Sequence, residues 1–159
     1  FTLVEILIVV VILGILAAIV IPQFSSASES AKASSLVSQL QTIRSQLELY
    51  QIQHNGNYPD LSSNWDQFTQ TTDVDGNTSG TQFGPYMQKA PANPFITSAS
   101  DADINVKQAP DGTGTAPGFS AVGWAYSRDT GEFKANIPSA VEADELGLEG
   151  NADFNVEGS

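Results

Sequence analysis

Cysteine is absent from the 159 residues, and the chain has one histidine and one methionine. Without thiols, disulfides, thiol redox motifs and iron–sulfur ligation are excluded, and a single imidazole leaves no Cys/His zinc set. Nucleophilic pairs that need a spare histidine go with them. Positive charge is scarce too: six Lys and Arg stand against 18 Asp and Glu, for a formal net charge of −12. With no basic cluster to neutralise a row of phosphates, nucleic-acid binding is not expected. What remains for catalysis is paired carboxylates, Asp101 with Asp103 or Glu142 with Glu145. Nothing in the sequence supplies a pocket or partner to shift one pKa, so these read as solvated charge and the chain is not expected to be an enzyme.

Hydrophobic residues make up 41% of the chain, but unevenly, since 19 of the first 24 positions are hydrophobic. From Ile6 to Ile21 no side chain is polar. As a helix, residues 1–21 span about 30 Å, enough to cross a bilayer core. A secretory signal peptide would open with Met and a basic region, whereas this chain opens with Phe1, so a processed start with its leader removed is expected. Helical periodicity continues through Leu36, Leu40, Ile43, Leu47 and Tyr50. The run His54-Asn55-Gly56-Asn57-Tyr58-Pro59 should stop it. Gly14 and Pro22 weaken the helix between them, by about 1 kcal/mol for the glycine and through a lost donor and a steric clash at the proline. Both are also tolerated in many membrane helices. Glu5 is the one ionisable side chain in residues 1–28. Such a carboxylate costs on the order of 2.5–3.5 kcal/mol at a bilayer centre and less near the interface. Pairing with the α-amino group of Phe1 in a neighbouring copy would satisfy both charges and fix the axial offset of adjacent chains; a seat at headgroup level is the plainer alternative.

The run Phe1-Thr2-Leu3-Val4-Glu5, the apolar stretch Ile6 to Ile21 and Pro22-Gln23-Phe24 closely resemble the mature N-terminus of type IV pilins and type II secretion pseudopilins. The resemblance is dense over residues 1–24. It implies a type IV pilin-like α+β fold: one long N-terminal helix with a small antiparallel sheet packed on its C-terminal half. It also implies a leader cut by a prepilin peptidase just before Phe1, N-methylation of Phe1 and storage in the bacterial inner membrane. An assembly ATPase and platform machinery then stack copies into a homopolymer. Glu5 matches the acid that meets the neighbouring N-terminal amine, and Gly14 through Pro22 matches the part that loses helicity in assembled filaments. Leu3, Ile6, Leu7, Val10, Leu13 and Leu16 would pack in the filament core.

Five segments are expected: a transmembrane or filament-core helix over 1–24, its amphipathic continuation over 25–56, a loop and linker over 57–118, a β-hairpin over 119–138 and an acidic segment over 139–159. Ser63-Asn64-Trp65-Asp66 has capping-box-like spacing, so a short helix should set Trp65 and Phe68 against the long one. Strands are expected at Phe119–Ser127 and Glu132–Ile137, joined by Arg128-Asp129-Thr130-Gly131, with a weaker one at Ile104–Val106. Val122, Trp124 and Tyr126 share one face, as do Phe133, Ala135 and Ile137, and these faces should cover the Leu36–Tyr50 stripe. Ser139-Ala140-Val141-Glu142 and Gly147 bound a short acidic helix, after which Leu148, Phe154 and Val156 are scattered anchors. The segment reads either as a solvated tail or as a packed arm lining a filament surface.

No cofactor is expected apart from a candidate calcium loop, Asp73-x-Asp75-Gly76-Asn77, which lacks the distal Glu of an EF-hand. Asn77-Thr78-Ser79 is a glycosylation triplet. Tyr58-Pro59, Gly84-Pro85-Tyr86 and Asn93-Pro94-Phe95 resemble, more loosely, the linker of major pseudopilins. Ile21-Pro22-Gln23-Phe24 and the polar surface favour a cell-surface pilus, with this chain as the major pilin. The missing cysteine-closed loop, the hairpin and the linker favour a periplasmic pseudopilus for type II secretion. A membrane-anchored periplasmic binding module that never polymerises is the third reading. The pilus is the leading expectation.

Overall fold

The computed structural model describes residues 2–96, 104–107, 122–148, 150 and 152–156. The chain divides into two compact units, Phe1–Ser34 and Ser35–Ser159. Helix α1, Leu3–Gln53, is the longest element, and its residues belong to both.

In the first unit α1 is helical through Gly14 and through Pro22. Every large apolar side chain from Leu3 to Phe24 is exposed, Leu3 by 83%. The helix is long and apolar enough to cross a membrane by length and composition.

The second unit holds the hydrophobic core. Leu36, Leu40, Ile43, Leu47 and Tyr50 of α1 are buried, as their spacing predicts. α1 stops where the sequence expects, by backbone geometry: Asn55 (φ 56°) and Gly56 (φ 85°) are left-handed, and the Gly56 N–H donates to the Gln51 carbonyl at 2.8 Å. This 6→1 bond closes the last turn. A one-turn helix follows, α2 at Asp66–Thr69. Its start is not the expected Ser63 cap. Asn64 Oδ1 takes the Asp66 N–H at 2.9 Å, because an Asx side chain reaches the backbone two residues on. Trp65 and Phe68 are buried as expected, with the Phe68 ring centroid 6.1 Å from that of Tyr50.

Four strands follow: β1 (Ile104–Lys107), β2 (Trp124–Ser127), β3 (Phe133–Ile137) and β4 (Phe154–Val156), with helix α3 (Ala140–Glu145) between the last two. They form one sheet in the order β1-β2-β3-β4. The expected antiparallel sheet is corrected to a mixed one. Only β2 and β3 pair antiparallel, with Trp124 opposite Ala135 and Tyr126 opposite Phe133. β1 pairs parallel with β2, and β4 parallel with β3. The hairpin turn is local and fixes its own register; Gly131 (φ 73°) supplies the left-handed residue, and its N–H donates to Ser127 O at 2.9 Å. The outer strands arrive by longer connections, which permit parallel pairing, and α3 is the crossover between β3 and β4. The Pro110–Gly118 loop and the start of the expected strand Phe119–Ser127 lie outside the described residues.

All four residues of β2 are buried, so both faces are covered rather than one. The acidic C-terminal segment is packed: Gly147 (φ 67°) turns the chain just after α3, and Leu148, Phe154 and Val156 are buried. A chain of buried amides holds this end of the sheet. Asn155 Nδ2 donates to Asn136 Oδ1 at 3.1 Å, Asn136 Nδ2 to Val122 O at 2.9 Å, and Asn93 Nδ2 to the carbonyls of Gly123 and Asn136 at 2.7 and 2.8 Å.

Candidate functional site: an exposed apolar helix and its capped acid

The candidate site is the start of α1. Leu3, Ile6, Leu7, Val10, Leu13 and Leu16 are all exposed on one half of the helix, and Val4, Ile8, Val11, Ile12 and Ile15 are exposed on the other. A helix apolar on every side is stable only inside lipid or among other apolar helices. Gly14 has no heavy atom within 4 Å of where a Cβ would sit, so nothing in its own chain requires glycine there. Pro22 sits inside α1, where it has no N–H to offer the preceding turn. Phe1 lies outside the described residues.

Glu5 has a partner that the sequence reading overlooked. Its Oε2 accepts the Thr2 N–H at 2.6 Å, while Thr2 Oγ1 accepts the Glu5 N–H at 3.2 Å. This is a capping box, and the signal was there to be read as Thr-x-x-Glu ahead of an apolar run. The carboxylate thus closes the first turn of its own helix and, having further lone pairs, remains able to accept a cation.

The Asp73 carboxylate closes its own loop. Asp73 Oδ1 accepts the N–H groups of Asp75 and Asn77 at 3.0 and 2.9 Å, and Oδ2 accepts Asn77 Nδ2 at 2.9 Å. These bonds, the Asn77 amide foremost, hold the Asp73 carboxyl below the ordinary value. Both of its oxygens accept bonds within the loop, and among the described residues no three His, Cys, Asp or Glu side chains gather into a metal site. Asn77 is exposed, with its amide turned to Asp73. Of the carboxylates named for catalysis, Asp101 and Asp103 and the side chains of Glu142 and Glu145 lie outside the description.

His54, part of the helix stop in the sequence, also joins two segments of the chain. It is buried, its ring stacked on Tyr50 with centroids 3.6 Å apart. Nδ1 lies 2.8 Å from the Tyr50 carbonyl and Nε2 2.9 Å from Thr72 Oγ1. A ring nitrogen facing a carbonyl must carry the proton, so in the neutral ring Nε2 accepts from the Thr72 hydroxyl. No local motif announces this, because Thr72 is 18 residues away.

No protein-family model and no solved structure matches the chain. Among curated proteins it is similar to the type II secretion system core protein G of Klebsiella pneumoniae, 30% identical over 95 residues, which is 60% of this chain and 67% of the relative. The protein of the same name from Pseudomonas aeruginosa is 33% identical over 95 residues, 60% of this chain and 66% of the relative. That of Dickeya chrysanthemi is 42% identical over 59 residues, 37% of this chain and 38% of the relative. The chain thus spans about two thirds of the first two relatives and far less of the third. An all-round apolar helix, an acid five residues in, an α+β body and likeness at this level lead to one placement: the chain belongs to the family of type IV pilins and type II secretion pseudopilins.

Proposed function

We propose that the chain is a structural subunit that polymerises through the apolar part of α1, and that the polymer is a type II secretion pseudopilus. The observation that carries the choice of machine is the likeness to relatives named as type II secretion core proteins, at 30% and 33% identity. It favours the secretion reading over the cell-surface pilus that the sequence put first.

In this reading the helix is stored in the inner membrane after a prepilin peptidase exposes Phe1, and an assembly ATPase with its platform withdraws it into the growing polymer. Leu3, Ile6, Leu7, Val10, Leu13 and Leu16 exchange lipid for neighbouring helices. Burying each such side chain stabilises by about 1.5–3 kcal/mol relative to water, so the polymer needs no covalent link. Glu5 accepts the methylated amine of the next copy while keeping its bond to Thr2. The segment from Gly14 to Pro22 is the part that gives way, since the proline already leaves one turn without its hydrogen bond.

Deleting the gene in its own host separates the machines. The secretion reading expects proteins normally released to the medium to accumulate inside the cell while surface fibres persist. Loss of surface fibres with normal secretion would return the chain to the pilus reading. A Glu5→Ala chain should insert in the membrane yet fail to enter polymer; normal polymer from that variant excludes the interchain ion pair.

A further inference from the structure

Two stretches of the unit Ser35–Ser159, residues 60–67 and 76–79, line one open cleft of about 450 Å³. Every side chain in its lining is polar, and none carries positive charge. The walls are tied together through Gln67, whose Oε1 accepts the Asp60 N–H at 2.7 Å and the Tyr50 hydroxyl at 3.1 Å. The second wall closes on the same side chains at Gly76, where a Cβ would come within 2.7 Å of Tyr50 Oη and 3.3 Å of Gln67 Nε2. A glycine at φ 84° lets the loop sit that close. The other polar groups are held at one atom and open at another. Asn64 Oδ1 takes the Asp66 N–H at 2.9 Å, which leaves Nδ2 to donate. Asn77 Nδ2 is turned to Asp73 Oδ2 at 2.9 Å, which leaves Oδ1 to accept. The Asp66 carboxylate and the hydroxyls of Ser63, Thr78 and Ser79 have no bond to other described residues.

We propose that this cleft binds a saccharide. A sugar hydroxyl donates and accepts at once, and the cleft offers both functions in fixed positions: a carboxylate and an amide oxygen that accept, an amide nitrogen that donates, and hydroxyls that do either. Each sugar hydroxyl takes the place of a water that these groups would otherwise hold. Other classes of ligand are served worse. An anion meets no cation in the lining, and an apolar molecule meets no apolar side chain. A metal ion would find two carboxylates, of which Asp60 already accepts Ser62 on one oxygen and Arg128 on the other. The volume has room for a sugar ring with both walls in reach. The inference stands apart from the polymer reading, since it uses none of the apolar part of α1.

Saturation-transfer NMR on the full chain tests it, in dodecylphosphocholine micelles, whose detergent has no sugar headgroup. Glucose, galactose, mannose and N-acetylglucosamine are the probes, and glycerol is the control for hydroxyls without a ring. At least one of the sugars should receive saturation and glycerol should not. Asp66→Ala should weaken binding of that sugar about tenfold or more, because a hydrogen bond to a charged group is lost. T78A/S79A, on the other wall, should weaken it severalfold, while Asp144→Ala, exposed and outside the cleft, should leave it unchanged. Circular dichroism checks that each variant folds. No saturation of any sugar, equal saturation of glycerol, or a sugar signal that both cleft variants retain in full overturns the inference.

Discussion

At Asp60 a carboxylate is held by three donors from two parts of the chain. Oδ1 accepts the Ser62 hydroxyl at 2.6 Å and the Ser62 N–H at 3.0 Å, while Oδ2 receives Arg128 Nη1 at 3.1 Å. The Ser62 hydroxyl is the chief reason its pKa lies below the ordinary 3.8, against the opposing effect of burial. Asp73 is lowered in the same direction by Asn77. A depressed folded pKa means that the folded form prefers the charged acid, so its contribution is complete above 3.8 and is lost as pH falls through the folded value. The expected outcome is a thermal midpoint that is level above about pH 5 and falls below about pH 4. Asp60→Asn should start lower at neutral pH and fall less steeply in that acid window. Parallel curves for the two chains would show that Asp60 is not among the groups responsible.

At the level of elements, β4 is the shortest of the four strands. It pairs with β3 over three residues, and it is fastened from outside by Arg44 of α1. Nε and Nη2 of Arg44 donate to the Phe133 carbonyl at 3.2 and 2.6 Å, and Nη1 to Asp153 Oδ1 at 2.8 Å. The ion pair is partly exposed and on its own contributes about 1 kcal/mol or less; the fork onto a carbonyl and a carboxylate together is what lysine cannot reproduce. Arg44→Lys should therefore speed amide exchange at 154–156 about tenfold, equivalent to roughly 1.4 kcal/mol, with the α1 and hairpin amides unchanged. A uniform increase throughout would mean that Arg44 supports the whole unit instead. The same contrast between local and distant signals explains what was legible in the sequence. Helix α1, its stop at Asn55-Gly56, the β2–β3 hairpin and α3 are each written in a few neighbouring residues, and so is the Thr2–Glu5 cap that was overlooked. The parallel partners of β2 and β3, the His54–Thr72 bond and the Arg44 fork join residues far apart in the chain, for which no spacing rule exists. At Asp73 the spacing identifies oxygen atoms without saying which N–H groups bond to them.

For the whole molecule the governing quantity is the charge of −12 that each subunit carries. Among the described residues three of its six cations are engaged within the chain, Arg44 with Asp153, Arg128 with Asp60 and Lys134 with Glu132. In the proposed polymer, what neighbouring subunits present to each other across water is therefore mainly excess acid, while the attraction ascribed to the apolar helix carries no charge for salt to screen. Stacking repeats the repulsion at every subunit, and its range is set by ionic strength, about 30 Å at 0.01 M and about 8 Å at 0.15 M. Polymer yield from purified full-length chain should accordingly rise as sodium chloride is raised between those values, and then level off once the screening length falls below the spacing of surface charges. Removing exposed acids with Asp75→Asn and Asp144→Asn should flatten the rise by lifting the low-salt end. If yield fell with salt instead, attraction between opposite charges would dominate the contact, and the apolar helix would have to be given up as the main source of cohesion.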